Sequence, residues 1–126
     1  MERYGPRIAA LARRAERDRH RVAKRESSTL DDEDAVEFLR VGAGQAIWIY
    51  VEGRTGGRLV HFSPAELAAL EDAMNDWFEC YAHCHGVEID ADVSIREAAE
   101  LLLKTENVRD VAQLVTGVPE RSTERT

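Results

Sequence analysis

The stretch from Ser63 to Gly86 constrains the fold more than any other part of the chain. Ser63-Pro64-Ala65-Glu66 reads as a capping box with proline at the first helical position. The Ser63 hydroxyl and the Glu66 carboxylate would each take an amide hydrogen that a helix start leaves without a partner. The helix runs to about His85, and Gly86 stops it. Its apolar positions are Leu67, Leu70, Met74, Trp77, Tyr81 and Cys84, separated by steps of 3, 4, 3, 4 and 3. That is a coiled-coil-type seam along one face. Glu66, Glu71, Asp72, Asn75, Asp76 and Glu79 occupy the opposite face. Such a seam must be covered by something.

The flanking segments supply candidates. Residues 7–25 predict a helix with Pro6 near its first turn and Ile8, Leu11, Ala15 and Val22 as a thin apolar stripe. A second helix is expected from about Asp31 to Val41, capped by Thr29 or Asp31, with Gly42-Ala43-Gly44 as a helix-to-strand corner. Residues 45–52, QAIWIYVE, read as a strand, Gly53 to Gly57 as a turn, and 58–62 as the returning strand. Both faces of that hairpin are apolar, and a lone hairpin is marginal in water. After the long helix, Ser94 with Glu97 and then Asn107 with Asp110 open two short helices, the second ended by Gly117 and Pro119. The expected architecture is therefore α+β and mostly helical, with a β-hairpin between two N-terminal helices and the long amphipathic helix. The expected organisation is a basic arm over 1–26, a compact domain over 29–118 and a flexible tail over 119–126.

Charge is unevenly placed. The chain of 126 residues has a formal net charge of −7. Residues 1–25 nevertheless carry nine basic groups against three acidic ones, and residues 26–126 carry eight against twenty-one. Arginine dominates, with Lys24 and Lys104 the only lysines. Arginine for lysine with acid in excess resembles the composition of proteins from salt-loving archaea or other GC-rich genomes. The basic N-terminus offers Arg7, Arg13, Arg14, Arg17, Arg21 and Arg25 to nucleic-acid phosphates. No apolar run approaches the roughly 18 residues of a membrane span. The first residues are charged and lack a long apolar stretch, so neither a secretory signal nor a membrane partner is expected. A reduced, cytoplasmic protein is the expectation.

The most chemical-looking segment is Cys80-Tyr81-Ala82-His83-Cys84-His85. Cys80, His83 and Cys84 lie within one helical turn, and with His85 could present thiolate and imidazole to zinc. The alternative is that both cysteines are small buried residues. The haem-attachment pattern is missed by one residue, and helix spacing does not favour a Cys80–Cys84 disulfide. The last two helices suggest a helix-turn-helix, but only Arg109 and Gln113 could read bases, and packing explains them better. The acid run Asp31 to Asp34 suits a helix start rather than catalysis. No cofactor is expected beyond possible zinc. The functional expectation is a small non-enzymatic regulatory or interaction module. It would pair with itself through Leu67, Leu70, Met74, Trp77 and Tyr81 or through hairpin edges, with Trp48 and Tyr50 as a further docking face. Its N-terminal arm would contact nucleic acid. A zinc protein and a pure assembly partner are the alternatives.

Overall fold

The central helix forms where its caps require. In the computed structural model, which describes residues 4–55 and 61–118, this helix spans Pro64–Cys84. The Ser63 hydroxyl accepts from the Glu66 N–H at 3.1 Å, and the Glu66 carboxylate accepts from the Ser63 N–H at 2.9 Å. At the other end Gly86 adopts φ +77°. Its N–H donates to the His83 carbonyl at 2.9 Å, and the Val87 N–H donates to the Ala82 carbonyl at 3.0 Å. This paired closure satisfies carbonyls that a helix end would otherwise leave open.

Among the described residues three α-helices precede it, so the central helix is α4. Helix α1 spans Gly5–Ala23, α2 spans Asp32–Phe38 and α3 spans Gly44–Thr55. Helices α5, Ile95–Thr105, and α6, Val108–Thr116, follow. Helix α1 lies along α4 and turns Ile8, Leu11, Ala15 and Val22 inward, the four residues its periodicity predicts. Helices α2 and α3 cover other sides of α4. Leu70, Met74, Trp77 and Tyr81 of the seam are buried, and so are Ala73, Phe78 and Cys80 beside them. The cover that the seam demands thus comes from within the chain at these positions. Helices α5 and α6 pack on each other, and α5 also packs on α3.

The expected α+β architecture is overturned. Among the described residues there is no strand, and residues 45–52 lie inside α3. Ala46, Ile47, Ile49 and Val51 are buried on several sides, while Gln45 and Trp48 are exposed and Glu52 is half-exposed. A short, nearly continuous apolar run fits a buried strand or a buried helix equally well by periodicity, and here the surroundings decide. The first part of the expected turn, Gly53 to Thr55, is the last turn of α3. Gly56 and Gly57, the start of the returning strand at 58–60 and the tail at 119–126 lie outside the described residues. His61 and Phe62 form neither helix nor strand. Phe62 instead closes a corner, its ring 5.6 Å from that of Tyr4 and 6.2 Å from that of Tyr50.

Helices α2 and α3 are one continuous rod, interrupted by a π-type turn over Leu39–Ala43. The expected helix-to-strand corner is a helix-to-helix junction, with Gly42 in this turn and Gly44 the first residue of α3. Gly42 faces Trp77 so closely that a Cβ there would stand 2.5 Å from the indole ring. Only glycine lets the turn settle on the tryptophan.

Candidate nucleic-acid interface

Helix α1 is not a free arm: its buried stripe fixes it on α4, which also sorts its arginines by direction. Arg7 pairs with Glu52 of α3 at 3.5 Å. Arg14 donates to the Val41 carbonyl in the π-type turn and stands 5.1 Å from the centre of the Trp77 ring. Arg19 donates to Glu79 at 2.7 Å, and Arg25 donates to the Thr29 carbonyl at 2.8 Å. Each of these four arginines therefore has a partner within the chain, with Arg7 and Arg25 still at the surface. Arg13, Arg17, Arg21 and Lys24 remain on the outer face, at steps of 4, 4 and 3. Arg21 has one distant partner, Asp18 at 3.9 Å, and its side chain is 71% exposed. Among the described residues Arg13, Arg17 and Lys24 make no ion pair. The ridge from Arg13 to Lys24 is about 16 Å long at ~1.5 Å per residue. Of the six arginines expected to meet nucleic acid, Arg13, Arg17 and Arg21 project outward. Arg7, Arg14 and Arg25 are occupied.

One flank of α1 has the opposite sign. A groove of about 610 Å³ runs between α1 and α4, bounded by Glu16, His20, Asp72, Asp76 and Asp92. Burial pushes the Asp76 carboxyl up to about 6. The negative charges of Glu79, Asp72 and Glu16 add to that, and Arg19 opposes it. The groove is thus a like-charge cluster with a single close cation, already committed to Glu79.

Three polar residues of α4 hold the next segment of chain. Glu79 accepts from the Ala91 N–H at 2.9 Å. Asn75 accepts from the Val93 N–H and donates to the Val93 carbonyl, both at 3.0 Å. Glu71 accepts from the Ile95 N–H at 3.1 Å. The anchors sit four residues apart on a helix, about 6 Å at ~1.5 Å per residue. Their targets sit two residues apart, about 6.6 Å in extended chain at ~3.3 Å per residue. The two spacings match, so α4 serves this segment as a neighbouring strand would. By periodicity alone these residues fall on the polar face of α4, opposite its apolar seam. Two signals mark the arrangement: Glu71, Asn75 and Glu79 at steps of four, and the alternation Val87-Glu88-Ile89-Asp90-Ala91-Asp92-Val93-Ser94-Ile95.

The Cys/His turn does not converge. Burial pushes the Cys80 thiol up to about 12, helped by Asp18. Burial with Asp34 and Asp31 nearby pushes Cys84 up to about 11. Both therefore stay protonated near neutrality. His83 Nε2 lies 2.7 Å from the Arg25 carbonyl, which can only accept, so that nitrogen carries the hydrogen. His85 meets the Tyr81 ring with centroids 5.0 Å apart. Among the described residues no group of three or more His, Cys, Asp or Glu is placed to hold a metal ion. Of the expected self-docking set, Leu70, Met74, Trp77 and Tyr81 are buried, Leu67 and Tyr50 are half-buried, and Trp48 is 49% exposed. No helix among the described residues is long and apolar enough to cross a membrane.

A family model matches residues 2–120, nearly the whole chain. The chain belongs to that family, a domain of unknown function (DUF8055). No curated protein and no solved structure matches it. The DUF8055 match runs from before α1 to beyond α6, so the basic helix belongs to the domain and is no appendage to it.

Proposed function

We propose that this DUF8055 protein is a small non-enzymatic regulatory or interaction module that engages nucleic acid through the outer face of α1. The observation behind this reading is the division of the cations of α1 and of Lys24 and Arg25 just after it. Arg7, Arg14, Arg19 and Arg25 have partners within the chain, while Arg13, Arg17, Arg21 and Lys24 form one exposed stripe. Like charges one turn apart repel. Phosphates neutralise such a stripe and release their condensed counterions, which drives binding. The carboxylates of the groove lie on the flank, so attraction is confined to the ridge direction. The test is fluorescence anisotropy on a labelled duplex across a salt series. Four phosphate contacts predict a log–log salt slope of about −3.6. The triple variant Arg13→Glu, Arg17→Glu, Arg21→Glu should lose binding and keep its melting temperature. Unaltered binding by that variant, or no binding by the unmodified protein at low salt, would overturn the reading.

A second reading rests on Trp48, 49% exposed on α3. A tryptophan with that much surface in water suits a protein partner, and a second copy is the simplest one. Sedimentation should then show a dimer that Trp48→Ala converts to a monomer. A clean monomer at micromolar concentration would remove this reading.

A further inference from the structure

We infer that the nucleic acid taken by α1 is a double helix gripped along its phosphate backbone, with no reading of base sequence; this rests on the function proposed above. The ridge consists of cations alone. Helix α1 contains no Asn or Gln from Gly5 to Ala23, so the side chains that pair with adenine edges are missing from it. Single-strand binders stack bases on exposed aromatic rings. Tyr4 is buried at the start of α1, and the exposed tryptophan, Trp48, belongs to α3. His20, the one aromatic side chain within α1, is exposed but lines the acidic groove, among carboxylates that repel the phosphates of a strand.

Arginine can also read guanine in a major groove, but the surroundings of α1 oppose entry. A recognition helix must sink into a channel about 12 Å wide and 8.5 Å deep. Helix α1 lies flat along α4, with Glu16, Asp72 and Asp76 on one flank. On its other side Arg14 ties it to Val41, in a recess that Glu37 also lines. Insertion would drive these carboxylates toward phosphates. The outer stripe alone approaches a polyanion without penalty, and it does so across the backbone. The stripe is held in place on α4 by the packing of Ile8, Leu11, Ala15 and Val22. A stiff row of cations suits the regular phosphates of a duplex. A flexible single strand must be ordered to meet the same row and gains no stacking in return.

Anisotropy titrations of the full chain at low salt, with equal-length probes, test this. The probes are an AT-rich DNA duplex, a GC-rich DNA duplex, an RNA duplex and oligo-dT. The expected result is that the two DNA duplexes bind within about two-fold of each other, since backbone contacts carry no sequence information. Oligo-dT should bind about ten-fold more weakly or worse, as a groove without stacking platforms predicts. The RNA duplex separates the sources: binding of the DNA duplexes only, the RNA duplex only, or both assigns the helical form, and each upholds the inference. Oligo-dT bound as tightly as a duplex overturns it while leaving the proposed function standing. A ten-fold preference between the two DNA duplexes overturns it in the same way. If no probe binds, the proposed function fails and this inference fails with it.

Discussion

Gly42 shows how one missing methyl group can set the packing of a molecule this small. Trp77 cannot retreat from it, since its indole N–H donates to Asp18 at 3.0 Å and its ring is fully buried. Gly42→Ala should therefore cost about 1–3 kcal/mol, the range for overpacking a well-filled core. Urea unfolding would measure it, and near-ultraviolet circular dichroism should report a displaced tryptophan. Asp76 gives a prediction with a sign. Its folded value of about 6 lies above the ordinary 3.8. Proton binding therefore favours the fold. The contribution is complete below the ordinary value and is lost as pH rises through the folded one. Asp76→Asn should stabilise the protein at pH 7 by on the order of 1 kcal/mol, allowing for solvent screening of a partly exposed group. The advantage should fade as pH falls from about 6 toward 4. Urea midpoints of both proteins across that range check it, and equal midpoints throughout would contradict the assigned crowding.

Individual helices were largely legible where local chemistry decides. Of the two caps expected for α2, Asp31 is the one that accepts a backbone N–H, and Ser63, Ser94 and Asn107 accept theirs as expected. The closing glycines Gly86 and Gly117 take positive φ as expected. The buried stripe of α1 was readable down to its four residues. Residues 45–52 were not, because Ile47, Ile49, Val51, Trp48 and Tyr50 carry β-type preferences that tertiary burial overrode. A helix buried on most sides has no polar face to announce its period. The tether on α4 was hidden for another reason: a glutamate or asparagine on a polar face looks the same whether it meets water or a backbone amide. Asn75→Ala removes two hydrogen bonds at once. It should cost about 1–3 kcal/mol by leaving backbone groups of Val93 unsatisfied. Amide exchange at Val93 should accelerate more than at Leu70, and equal acceleration would mean that the tether holds nothing locally.

For the whole molecule, charge asymmetry in the sequence became direction in space. The sequence could count the arginines of α1 but not tell which were occupied. Their partners, Glu52, Val41 and Glu79, lie 45, 27 and 60 residues away. The candidate site was therefore legible as a basic helix and illegible as a ridge. Integration of that helix has a direct consequence for experiment. Removing residues 1–25 strips α4 of its longest neighbour and bares Trp77 to water. The truncated chain should lose cooperative thermal unfolding, and its tryptophan emission should shift to the red. A truncated protein that still melts sharply would show that α1 is dispensable to the core. Charge substitutions on the ridge, by contrast, should leave melting within about 0.5 kcal/mol of the unmodified protein, as surface changes do.

The side-chain tether also governs where the chain can tolerate a change of length. One residue inserted between Ala91 and Ile95 reverses which amides point at α4, because extended chain alternates direction at every step. The α5–α6 pair would then lose this anchorage to α4 and rest on its packing against the other helices. The same insertion between Gly86 and Asp90 falls outside the anchored stretch and can bulge into solvent. Paired insertion variants, one on each side of Ala91, should differ clearly in melting temperature, so slack in this linker is permitted on one side of a single residue and forbidden on the other.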